Sequence, residues 1–236
     1  MTVNFPIQRS DAALDLTTIA PMRGGIYQLH GHGRAGQSMR KYAEAWTVAA
    51  LMRGESVHWV DGASRIDPSR ILKCFPSHEP SARDHLHRLF IGRGFTVHQL
   101  ATLVERLPRE VSITRSPLVV IDGPIAMHLD SQVGDHEARS LMRSISIQLQ
   151  DLAEKNNTAV IVITATEPVS KRHQHLLAMI ERRSSQHLSE QRITKTDRSP
   201  RWLIHQPSGT SGMWPEPRVA KSLFRVFDQL TDAGLH

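Results

Sequence analysis

Gly31–Ser38 reads "GHGRAGQS" and directly follows the apolar stretch "GIYQL". Its glycines fall at the spacing of a phosphate-gripping loop, G-x-x-x-x-G-K-[ST]. In such a loop the glycines let backbone amides approach an anion, the lysine neutralises it, and the hydroxyl reaches a metal ion. Gly31, Gly36 and Ser38 are of the required types, Arg34 lies between them, and Gln37 stands where the lysine belongs. A second chemical signal is Asp122, which closes the apolar run "LVVID" and places a carboxylate at the end of a strand. A third is cationic. Arg139 and Arg143 are one helical turn apart, and Lys171, Arg172, Arg182 and Arg183 cluster after Glu167. Taken alone, such residues make a solvated basic face. The pairs His30/His32, His85/His87 and His173/His175 lack the i, i+4 spacing and glutamate of a zinc-protease helix. With Cys74 as the single cysteine, no structural zinc site is expected.

These residues need a scaffold, and the hydrophobic pattern supplies one. Short apolar runs alternate with segments of helical period, which predicts an α/β domain with a mainly parallel central sheet. Ile26–His30 and Val57–Asp61 read as strands, while Leu118–Asp122 and Ala159–Thr164 are apolar enough to be buried on both faces. Helices are expected over Ser38–Arg53, over "PSRIL" after a capping Asp67, after Thr96 with Gln99 completing a capping box, and over Glu137–Lys155. In the last of these, Ala138, Leu141, Met142, Ile145, Leu149 and Leu152 face inward, with Arg139, Arg143, Ser146 and Gln150 opposite. Beyond Glu167, "PVSKRHQHLLAMIERRSSQH" is basic and only partly periodic. "QRITKTDRSPRWLIHQ" reads as two strands turning at "DRSP", "PSGTSGMWPEP" as a loop, and "VAKSLFRVFDQL" as a closing helix.

The order of loop, helix, "VDGASRIDPSR", "GRGFTVHQLATLVERLP", "LVVIDG" and "AVIVIT" resembles the ATPase core of the RecA/RadA recombinase family, especially archaeal and eukaryotic strand-exchange proteins and their paralogues. The resemblance runs from about Gly24 to His205. It implies a RecA-like P-loop core over residues 24–236, preceded by an extension of residues 1–23, with C-terminal antiparallel strands. It also implies that Asp122 is the magnesium-side (Walker B) aspartate and that Gly31, Arg34, Gly36, Gln37 and Ser38 form a degenerate nucleotide-binding loop. Asp61 matches the family, but Ala63 occupies the place of the glutamate that orients the attacking water. Phosphoryl transfer relies on charge neutralisation and positioning, so losing both residues predicts no catalytic residue and, at most, ATP and magnesium bound without hydrolysis. The family's DNA-contacting segments correspond to Ala126–Arg143 and Thr166–His187, which assigns DNA contacts to Arg139, Arg143, Lys171, Arg172, Arg182 and Arg183. A copy of the family's Phe-containing polymerisation segment is not evident; "VNFPI" (Val3–Ile7) could dock on a neighbour as an edge strand or be a frayed end.

Composition sets the outer bounds. The chain has 236 residues, a net charge of +6 and a pI near 10.0, which suits polyanionic partners and equally an inert basic surface. No apolar run approaches the ~20 residues of a membrane span, and no secretory signal precedes the first strand. The expected location is cytoplasm or nucleoid, or the nucleus in a eukaryote. The leading expectation is a non-catalytic recombinase paralogue, a DNA-binding accessory or mediator in homologous recombination and repair. Its partners would be single- or double-stranded DNA and an active recombinase or another paralogue. An atypical KaiC-like ATPase, with Arg34 or Lys41 replacing the lost lysine, and a RecA-fold protein scaffold are the alternatives.

Overall fold

The computed structural model describes residues 21–77, 79–192, 201–206 and 210–214. Six strands form a parallel sheet: β1 (Ile26–Gly31), β2 (Val57–Asp61), β3 (Leu89–Arg93), β4 (Leu118–Asp122), β5 (Ala159–Ala165) and β6 (Gln186–Arg192). Their spatial order is β3-β2-β4-β5-β1-β6, so every crossover passes through helical or loop segments on the sheet faces. This architecture is consistent with a RecA-like core. "VNFPI", the "DRSP" turn and the expected closing helix lie outside the described residues.

The central strands are apolar throughout because each face of the sheet is covered. Leu118 and Val120 of β4, with Ile161 and Ile163 of β5, pack toward α1 (Arg40–Met52) and the segment around α2 (Pro68–Leu72). Val119, Ile121, Val160 and Val162 alternate to the other side. There they meet α4 (Val97–Thr114), α5 (Asp135–Lys155) and α6 (Lys171–Glu181); α3 (Ala82–His85) is a single turn near the β3 edge. Caps fall where side-chain chemistry places them: Asp67, Thr96 and Ser170 accept from the amides of Ser69, Gln99 and His173.

Three sequence expectations need correction. The first helix does not run unbroken from Ser38. The α-helix begins at Arg40, after a 3₁₀ segment (Arg34–Met39) that is itself interrupted by left-handed backbone at Ala35 and Gly36. α6 is a regular helix despite its basic composition. Ser146 is buried rather than outward, and its hydroxyl is satisfied by donating to the Met142 carbonyl one turn back. Among the described residues, no helix is long and apolar enough to cross a membrane.

Candidate phosphate-loop site and basic face

The loop sits where β1 ends, against the C-terminal ends of β4 and β5. Its glycines are fixed by close approach. A Cβ on Gly36 would lie 2.1 Å from the Thr164 carbonyl oxygen of β5, and Gly36 holds φ +79°. A Cβ on Gly31 would lie 2.5 Å from the Gly36 carbonyl oxygen. The Ser38 hydroxyl accepts from the His32 amide at 2.8 Å, so the loop closes on its own side chain. Gln37 and Arg34 are exposed, and the Lys41 ammonium lies over the Tyr42 ring at 4.9 Å.

A different cation occupies this region. β2 and β4 are neighbours in register, so Asp61 and Asp122 end adjacent strands side by side, both with no exposed surface. Asp61 organises the turn that follows it. Its Oδ1 accepts from the Ala63 amide, and its Oδ2 from the amides of Arg65 and Ile66, both at 2.8 Å, with Ser64 in left-handed backbone between them. Arg93, at the end of β3, adds a guanidinium contact to Asp61 at 3.2 Å. The turn directs Arg65 across β4. The Arg65 guanidinium donates to Asp122 Oδ1 at 2.5 Å, to the Ala35 carbonyl at 3.0 Å and to the Arg34 carbonyl.

Asp122 meets a second guanidinium from the opposite side. Arg40, the first residue of α1, brings Nε within 2.8 Å of Oδ2, an ion-pair contact without hydrogen-bond alignment. Arg40 is 2% exposed, lies over the Trp59 ring and approaches Glu44 one turn on, which in turn faces Arg70. Burial pushes the carboxyls of Asp122 and Glu44 upward, and the neighbouring arginines oppose that push. The buried carboxylates are therefore matched by guanidiniums rather than by water.

This arrangement decides whether ATP and magnesium suit the site. A magnesium ion needs oxygen ligands it can approach. Here each oxygen of Asp122 faces a guanidinium, and the loop carbonyls of Arg34 and Ala35 point at one of them. Ala63 is 6% exposed and crowds Gly123; a Cβ on Gly123 would lie 2.7 Å from the Ala63 Cβ. The residues present do not fit a metal-bound triphosphate at this point. A cavity of about 310 Å³ opens at the loop itself, bounded by Gly31–Ala35, Gly123 after β4, Thr164 at the end of β5, Ile125, Val169 and His173. Among the described residues, no group of three His, Cys, Asp or Glu could hold a metal ion.

The expected DNA-contacting residues separate into two kinds. Arg172 is tied down: its guanidinium donates to Asp135 and to the carbonyls of His128 and Asp130, joining the start of α6 to the start of α5. Arg139, Arg143, Lys171 and Arg182 are exposed and have no acidic partner among the described residues. Arg139 and Arg143 lie on the same α5 stripe as Ser146, and Ser146 shares a small crevice with Arg183 at the end of α6. The α5 stripe therefore borders α6, and the two basic segments adjoin. Arg65 and Arg40 escaped the sequence reading. A contact spanning 57 residues leaves no local trace, although an arginine four residues after a strand-end aspartate was the available hint.

No protein-family model matches this chain, and no curated protein aligns with it significantly.

Proposed function

We propose that the chain is a non-catalytic RecA/RadA-like paralogue, a DNA-binding accessory or mediator in homologous recombination and repair. Two antiparallel strands over Arg201–Gln206 and Thr210–Trp214 would continue its sheet beyond β6. The observation that carries this reading is the contrast in its cations. Arginines at the strand ends are consumed by Asp61 and Asp122, whereas Arg139 and Arg143 on α5 and Arg182 just after α6 are left facing solvent. A working KaiC-like ATPase would need Asp122 accessible to a metal, and both of its oxygens are engaged. Solvated arginines on adjoining helices can instead exchange counterions for DNA phosphates, without base readout. The partner protein in this reading is an active recombinase or another paralogue, in the cytoplasm or nucleoid, or in a eukaryotic nucleus.

The test is direct. Labelled single-stranded and duplex oligonucleotides are titrated at several salt concentrations, and ATP turnover is measured alongside. The reading expects weak, salt-sensitive binding of random sequences and no turnover with or without DNA. Turnover at the rate of an active recombinase, abolished by Asp122→Ala, would overturn it.

A further inference from the structure

We propose that Arg65 is a built-in cation, holding the loop to Asp122 in the place where a metal-bound phosphate would otherwise join them. Three contacts define the role. The guanidinium bonds the carboxylate of β4 and the carbonyls of Arg34 and Ala35, so one planar group links the strand end to the loop. A metal ion would have to satisfy the same oxygen atoms, but it could not share them with this cation. Arg65 is not placed there by chance side-chain packing. Its own backbone amide is held by Asp61, through a turn that requires left-handed backbone at Ser64.

The fork geometry explains why an arginine serves. Its N–H groups diverge in one plane and can meet a carboxylate and two carbonyls together, which a single ammonium cannot do as well. The loop thus keeps its shape with no nucleotide present. Arg65 is a positioning residue, and its role does not depend on DNA binding: a chain that ignores DNA would leave this expectation untouched.

Thermal unfolding of the full chain tests the assignment, with magnesium chloride and ATP, singly and together, as the probes. Wild type is expected to melt at the same temperature with or without millimolar magnesium and ATP. Arg65→Ala is expected to melt several degrees lower and to regain part of that loss when magnesium is added. Arg65 and Asp122 are direct partners, so Asp122→Asn in the Arg65→Ala background should lose clearly less than the two single losses added, although Arg40 also loses its carboxylate. Should Arg65→Ala not fold, a folded double variant is the same result. A wild-type shift with magnesium and ATP as large as that of Arg65→Ala overturns the assignment. So do strictly additive losses, an Arg65→Ala protein indifferent to magnesium, or, where neither variant folds, an Arg65→Lys protein that melts with wild type.

Discussion

Two sets of arginines divide this molecule. At the strand ends, Arg40, Arg65 and Arg93 face the buried carboxylates of Asp61 and Asp122. Along α5 and α6, Arg139, Arg143 and Arg182 stand in solvent without acidic partners among the described residues. The same side chain does opposite work in the two places. In a buried setting a guanidinium is held by the cost of leaving a charge unpaired, a cost several-fold larger than a surface pair can offer. In water it keeps its counterions and can exchange them for phosphate. The carboxylate beside the loop is thus matched by protein guanidiniums, whereas the arginines of the α5/α6 face are left to solvent.

Breaking the buried set should have the largest effect. Asp122→Ala strands Arg40 and Arg65 without their carboxylate and should lower stability by about 4 kcal/mol, whereas Arg139→Ala should stay within about 0.5 kcal/mol. Urea unfolding of both variants checks the pair, and equal losses would erase the distinction. The loop glycines give a second, smaller contrast. Gly36→Ala combines left-handed backbone with a methyl driven into the Thr164 carbonyl and should cost about 4 kcal/mol, while Gly33→Ala has room but sits at φ +82°, ψ 177°, a region nearly reserved for glycine, and should cost about 2 kcal/mol.

Acid should discriminate as well. His128 is fully buried, donates from Nδ1 to the Pro124 carbonyl at 3.0 Å, and has its pKa lowered from 6.5 to about 4 by burial. The unfolded chain therefore binds a proton first as pH falls. The stability from neutral His128 is complete above pH ~6.5 and is lost between there and pH ~4, to a limit of about 3 kcal/mol. His128→Asn, which keeps a donor near Nδ1, should flatten the acid side of the stability curve. An unchanged slope would rule out His128 as its source.

Smaller still is the expected change on DNA. Arg139→Ala/Arg143→Ala should reduce the slope of log K against log salt by roughly 1.8 on duplex, at about 0.9 per lost phosphate contact. Stability should stay unchanged, and an unaltered slope would remove α5 from the interface. Gln37→Lys should do least of all: with Arg65 still on Asp122, a restored lysine brings no ATP turnover. Measurable turnover in that single variant would show that the strand-end pocket is open after all.

The extent to which this could be read from sequence follows from range and exposure. β1, β2, β4 and β5 announce themselves because strands covered on both faces must be apolar. β3, "LFIGR", escaped because an edge strand with Phe90 and Ile91 half exposed shows neither alternation nor full burial. α6 was legible and overlooked: His173, Leu176, Leu177 and Ile180 follow i, i+3, i+4, i+7 behind the Ser170 cap, beneath a basic composition that obscured them. The loop and Asp122 are each visible in the sequence, but the guanidinium that joins them is not. That Arg65 turns back onto Asp122 depends on the Asp61 turn and on the register of β2 with β4, which only the folded sheet supplies.

The central claim is that the strand-end carboxylate Asp122 is engaged by protein cations while the α5/α6 face meets DNA. Fluorescence anisotropy of a labelled single-stranded oligonucleotide, titrated with and without magnesium and ATP, tests both halves together. The account predicts measurable, salt-dependent binding with the same Kd and salt slope whether nucleotide is present or absent. Binding that appears only with magnesium and ATP, or no binding even at low salt, would contradict it.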